Sequence, residues 1–261
     1  MSAASPWAPG AVRVLVAQLD PAAPAGPLAD WLRAAGATLR TWRAHNGTAA
    51  PGEAHDAVVV LGGRAGVYDE AEHPWLAAVR GLLSEALAAG TPVLAIDLGA
   101  LALALAAGGE VAEDTAGGEL GAQLIAKRSA AAADPLLREA PITPDVVQWH
   151  YDAITRLPPG AVLLASSPRY AAQAFRVGLA WGFQFHIEAT AAAVREWARL
   201  DAESLVGFDV AALLERCDAV WADIAETWAP VAEAFMQVAR DPVAASADAA
   251  PTAGAEPLGH T

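Results

Sequence analysis

Three side chains in this sequence have the types needed for a proton relay: Asp97, His186 and Glu188. Asp97 stands in PVLAIDLG (residues 92–99), where an apolar, strand-like run breaks into a tight turn and a helical pattern begins at once. The apex residue of such a strand–turn–helix elbow projects above the edge of a sheet, beside the free amides of the helix start. His186 and Glu188 close WGFQFHIE (181–188) two residues apart, so strand alternation would set them on one side. A carboxylate beside an imidazole fixes its tautomer and raises its basicity. A third segment, LGGRAGVYD (61–69), puts Gly62 and Gly63 after an apolar run, where bare backbone amides can approach a ligand. Each segment also has a plainer reading. Asp97 could be a helix N-cap, His186 with Glu188 a surface ion pair at a strand end, and Gly62-Gly63 an ordinary glycine turn.

These residues need a frame. Apolar runs at 12–17, 38–42, 57–61 and 92–96 read as strands, and AVVVL (57–61) has the unbroken pattern of a strand buried on both faces. Helical patterns at 28–35, 74–89 and 98–107 alternate with them. That order predicts a doubly wound, mostly parallel sheet with helices on both faces, the flavodoxin-like form of the α/β class. Runs at 162–165, 174–176 and 182–186 would add strands. Residues 190–240 look all-helical. Cys217, Trp221, Ile224, Trp228, Val231, Phe235 and Val238 step by four and three along one apolar stripe, expected to pack on the sheet. Pro230 predicts a kink or boundary near residue 229. Cys217 lies on the stripe and reads as a small buried hydrophobe.

Composition narrows the function. The chain has 261 residues, 55% of them hydrophobic, enough for a sizeable core. Thirty acids against sixteen bases give a formal charge of −14, which disfavours nucleic acid as a partner, and Lys127 is the one lysine. A single cysteine excludes an internal disulfide and a cysteine-built zinc site. No metal cluster or cofactor motif is evident. No run is long enough for a membrane span and no secretory signal is seen, so a cytoplasmic protein without membrane partners is expected.

Taken together and in order, these segments resemble the class I glutamine amidotransferases, especially stand-alone proteins similar to the amidotransferase domain of GMP synthase. The matching pieces are VVVLGGRAGVYDE, PVLAIDLGALALA followed by GGEV, VVQWHYDAITRLPPGAVLLASS, AFRVG and WGFQFHIE. The resemblance implies an amidotransferase-like domain over 11–190 with a C-terminal helical extension over 191–240; residues 1–10 read as a flexible lead, and the Ala/Pro/Gly/Ser-rich stretch 241–261 as a disordered tail. It also implies a thiolate that attacks the amide of glutamine, a His and a Glu that activate it, and ammonia passed to a synthetase. His186 and Glu188 then match the base and its orienter, and Gly63 and Leu98 the oxyanion amides. His150 and Asp152 (QWHYD) match a segment near the glutamine pocket, with a loop ion pair as the plainer alternative.

Asp97 stands where the family has its cysteine. Leu101 replaces a glutamine that often lines the pocket, and Ile187 replaces the proline of His-Pro-Glu. A carboxylate is a weak nucleophile toward an amide and would leave a high-energy mixed anhydride; it suits attack on saturated carbon or phosphorus, or general-base action on water. Between Asp97 and Glu188, His186 is expected to rest protonated, an ion network that is structural or binds a cationic or polar ligand. Three readings follow. One is an amidotransferase homologue without glutaminase activity that binds a small-molecule amide or amino-acid-like ligand, or a synthetase or other protein. The second is a hydrolase or transferase using Asp97, His186 and Glu188, and the third an amidotransferase subunit that supplies ammonia.

Overall fold

The computed structural model describes residues 11–113 and 117–241; the lead (1–10) and nearly all of the expected tail (242–261) lie outside the described residues. Strand β1 (Val12–Gln18), helix α1 (Gly26–Ala34), β2 (Ala37–Arg43), β3 (Ala57–Val60), α2 (Trp75–Ala89), β4 (Val93–Ile96) and α3 (Leu98–Ala106) follow one another as the apolar periodicity predicts. After them come β5 (Glu110–Glu113), β6 (Glu119–Leu124), β7 (Ala126–Lys127), β8 (Asp145–His150), β9 (Asp152–Arg156), β10 (Val162–Ser166), β11 (Ala174–Val177) and β12 (Ala180–Phe183). Two helices, α4 (Ala191–Leu200) and α5 (Val210–Arg240), end the described chain.

Eight strands form the central sheet in the order β2-β1-β3-β4-β12-β11-β10-β7. The five from β2 to β12 run parallel, and β11, β10 and β7 add an antiparallel edge. The fold is therefore a flavodoxin-like, mostly parallel doubly wound sheet. Two short ladders, β5 with β9 and β6 with β8, lie outside it.

Every residue of β3 and β4 is fully buried, which follows from cover on both faces. Alternate strand residues feed two separate cores. Val14, Val59, Leu94, Trp181 and Phe183 pack with Leu28 and Leu32 of α1 and with Ile224, Trp228 and Phe235 of α5. Leu15, Val58, Val60, Val93 and Phe175 pack with Leu76, Val79 and Leu83 of α2 and Leu103 of α3. The α5 stripe lies on the sheet as expected, with Cys217 buried at 1% exposure. Of the kink or boundary expected near residue 229, the boundary is absent: helix α5 runs unbroken through Pro230. Burial of Trp228, Val231, Ala232 and Phe235 around that turn offsets the one missing backbone bond. Strand β12 ends at Phe183, short of the predicted 186, because His186 turns away from β4 and bridges Val147 of β8 instead.

Candidate functional site

The elbow is real and strained. Asp97 has φ +51° and ψ −116°, and it is the one non-glycine residue with positive φ among the described residues. Such a conformation costs on the order of 1–3 kcal/mol and persists only where the surroundings enforce it. Its amide donates to the Phe183 carbonyl of β12 (2.8 Å), and its carbonyl accepts from Leu101 of α3 (3.0 Å). The backbone is thus pinned on both sides of the bend. Gly99 permits the turn, since a Cβ there would lie 2.5 Å from the Val60 carbonyl oxygen. Gly62 does the same across the cleft: a Cβ would lie 2.6 Å from Asp97 Oδ2 and 3.0 Å from His186 Cε1.

The Asp97 side chain does not cap α3 in the usual way, by accepting from an amide one turn on. It reaches across to Gly63, whose N–H donates to Oδ2 at 3.1 Å, while the Leu98 amide nearby favours its charged form. One of the two amides that could hold an oxyanion is therefore bonded to the residue's own carboxylate. Burial raises the Asp97 pKa to about 6, against the pull of His186 and of these two amides.

His186 meets both acids. Its Nε2 lies 3.8 Å from Asp97 Oδ2, and its Nδ1 lies 2.8 Å from Glu188 Oε1. The two residues meet without a continuing strand, because the bridge to Val147 holds His186 by its backbone (N to O 2.8 Å). The ring of Trp197, on α4, packs at 4.5 Å centroid separation. Burial alone would lower the His186 pKa, but Glu188, Asp97 and the Trp149 carbonyl outweigh it and raise it. Glu188 is 1% exposed, and its Oε2 has no hydrogen-bond partner among the described residues.

A cavity of about 280 Å³ opens over the elbow. Gly63, Asp97, Leu98, Leu101, His150, Asp152 and His186 all line it, so seven of the residues singled out from the sequence converge there. Gly62 and Glu188 stand behind that surface. The plainer alternative, an ion pair between the His150 and Asp152 side chains, is not the contact made. His150 Nδ1 faces the Asp152 backbone carbonyl at 3.2 Å, not its carboxylate. Ile187 is a core residue. Sequence reasoning missed the walls Trp149, Trp197 and Asp201, and it missed a buried chain of amides beside His150. There Gln184 Nε2 lies 3.1 Å from His150 Nδ1, and His150 Nε2 lies 3.0 Å from Gln148 Oε1. Gln148 then donates to Gln173 (2.9 Å), and Gln173 to Glu119 (2.7 Å). One signal was available: both histidines sit in a Gln-x-His pattern, at 148–150 and 184–186, which puts a glutamine on the same strand face. No group of side chains suited to a metal ion occurs among the described residues.

A doubly wound sheet with its site at the carboxyl ends of β3 and β4, under a strained elbow, places the molecule among elbow-bearing α/β proteins. The family is then decided by comparison. A model of the class-I glutamine amidotransferases matches residues 28–196, and the chain belongs to that family. The solved structure of a glutamine amidotransferase from Thermotoga maritima is 30% identical, covers 87% of this chain and 98% of its own, and superposes with a TM-score of 0.78. A glutamine amidotransferase from Methylobacillus flagellatus is similar at 26% identity, with 88% and 96% covered and a TM-score of 0.77. A Thermoplasma acidophilum protein assigned as part of a GMP synthase, 20% identical with 74% and 95% covered and a TM-score of 0.54, shares the fold. No curated protein sequence matches the chain significantly. No helix of the described residues is long and apolar enough to cross a membrane.

Proposed function

We propose that this chain is a class I glutamine amidotransferase homologue that has lost thiol-dependent glutaminase activity and works by binding a ligand or a partner protein. The observation that carries this is the Asp97 carboxylate, set at the elbow apex where the family is expected to have its thiol and bonded to the Gly63 amide. A carboxylate is a poor nucleophile toward an amide, and here it also takes up one of the donors that would stabilise a tetrahedral oxyanion. Glu188 and Asp97 raise the His186 pKa, which favours the form that has no lone pair to accept a proton. The helices from 191 onward are read as an extension that walls the cavity through Trp197 and Asp201. The chain is read as cytoplasmic.

The test is ammonia release from glutamine. The unmodified protein should give none above background, alone or with candidate synthetases. Asp97→Cys should yield a thiol that alkylates at least tenfold faster than Cys217, because His186 and the helix start favour its thiolate. Turnover by the unmodified protein that disappears in Asp97→Ala would overturn the reading.

A second reading keeps catalysis. It is favoured by the retained strain at Asp97 and the intact His186–Glu188 bond of 2.8 Å. With its pKa near 6, Asp97 could act as a base on water or as a nucleophile toward saturated carbon or phosphorus in a hydrolase or transferase. Ammonia supply to a synthetase, the third reading, has no observation in its favour at the elbow.

A further inference from the structure

The chemistry of the cavity wall points to a ligand class. Four carboxylates line it: Asp20, Asp97, Asp152 and Asp201. Arg64 is the one arginine or lysine in that wall, and its Nε is already bound to Asp20 Oδ2 at 2.9 Å. Asp201 accepts the Trp149 indole N–H at 2.7 Å, a neutral donor and not a counter-charge. Asp152 is half-buried, and burial together with Glu113 and Asp69 nearby raises its pKa; no arginine or lysine pairs with it among the described residues. His186 is balanced within its own cluster by Asp97 and Glu188. The remaining wall is aromatic, from Trp149, Tyr151 and Trp197. Uncompensated carboxylates beside aromatic rings attract an ammonium group both by charge and through the ring faces. An amino acid fits poorly, since its carboxylate would face the four wall carboxylates while the one arginine already pairs with Asp20 through Nε. The volume of about 280 Å³ suits a molecule smaller than a drug-sized ligand.

We propose that this cavity binds a small organic cation, an alkylamine with one or two ammonium groups and no carboxylate, held by Asp152 and Asp201 against Trp149, Tyr151 and Trp197. The proposal rests on the reading that the site no longer processes glutamine.

Calorimetric titration of the full chain at pH 8 tests it, with 1,4-diaminobutane, n-butylamine, 1,4-butanediol, glutamine and glutamate as probes. The two amines should bind, the diamine more tightly. The diol and glutamate should not bind, and glutamine should be at least tenfold weaker than the diamine. Asp152→Asn and Asp201→Asn, which keep shape and hydrogen-bond acceptors, should each weaken the diamine at least tenfold. Glu233→Gln, in a separate acidic groove along α5, should leave it unchanged. Absence of amine binding, tighter binding of glutamine or glutamate, or amine binding indifferent to both Asn variants would each overturn the proposal. If an Asn variant unfolds, the five-probe series on the unmodified protein decides alone. Ammonia is measured in the same samples. No ammonia and no amine binding sinks this proposal only, whereas Asp97-dependent ammonia sinks the reading beneath it.

Discussion

Two buried histidines face the same cavity, and each has a carboxylate oxygen 3.8 Å from its Nε2: Asp97 for His186 and Glu119 for His150. Their surroundings differ in kind. His186 lies between two acids, one of them in direct contact at 2.8 Å, so its neighbours favour the imidazolium. His150 is set among Gln184, Gln148 and Gln173, so the side chains in direct reach of its ring nitrogens are amides rather than acids. Tyr170 closes that side edge-on at 4.7 Å. A single carboxylate beside a buried imidazole does not decide whether the cluster is ionic. What decides is whether the direct hydrogen-bond partners are acids or amides.

The largest effect should come from breaking the ionic cluster. Glu188→Gln keeps an acceptor for His186 Nδ1 but removes the charge that offsets the buried imidazolium. A loss of about 3–5 kcal/mol is expected at pH 6, read from urea unfolding. The sign with pH follows from the raised His186 pKa. Its stabilisation is fully present below the ordinary histidine value and is lost as pH rises through the raised folded value. The defect should therefore be widest in acid and narrow in alkali. A flat profile would mean that the imidazole is neutral and that the two histidines are alike after all.

The next effect has the opposite sign. The Asp97 pKa is about 6 in the folded chain against an ordinary 3.8, so the folded state holds its proton more tightly. Stability should fall as pH rises from about 4 to about 6, by about 3 kcal/mol in all at about 1.4 kcal/mol per unit. Asp97→Asn keeps an acceptor for the Gly63 amide and tolerates positive φ. It should be more stable than the parent by up to about 3 kcal/mol at pH 8 and equal to it at pH 4. Thermal melts across that range would show it. Equal stability at both pH values would remove Asp97 from the ionic cluster.

The ionic half of the site was far more legible in the sequence than the amide half, and so was the half of the fold that carries it. Strands β3 and β4 are unbroken apolar runs because both faces are covered, and the elbow follows β4 directly. Local pattern suffices there. Strands β5 to β9 escaped because ELGAQL and DVVQWH mix polar and apolar residues, and their pairing is non-local. The cavity walls escaped for the same reason. Trp149 meets Asp201 fifty-two residues on, and the Trp197 indole donates to the Ala22 carbonyl across 175 residues. Such contacts are set by how α4 docks, which no short window encodes. At Pro230 the sequence left a kink or a boundary open, and burial along α5 excludes the boundary.

The smallest effect is the sharpest test of the contrast, because it repeats one substitution in the other cluster. Glu119→Gln retains an oxygen to accept the Gln173 Nε2–H, now 2.7 Å from the carboxylate, and removes a charge that nothing in the amide chain requires. Burial raises the Glu119 pKa, so its charged form is the one the folded state disfavours. By the sign argument used for Asp97, stability lost as pH climbs through the raised value returns when the carboxylate is replaced. The expected change at pH 8 is below about 1 kcal/mol and stabilising, with the His150 ring resonances unmoved in an NMR titration. A loss comparable to that of Glu188→Gln would show instead that His150 carries charge. The chain of glutamines would then be a second ionic site under the same cavity.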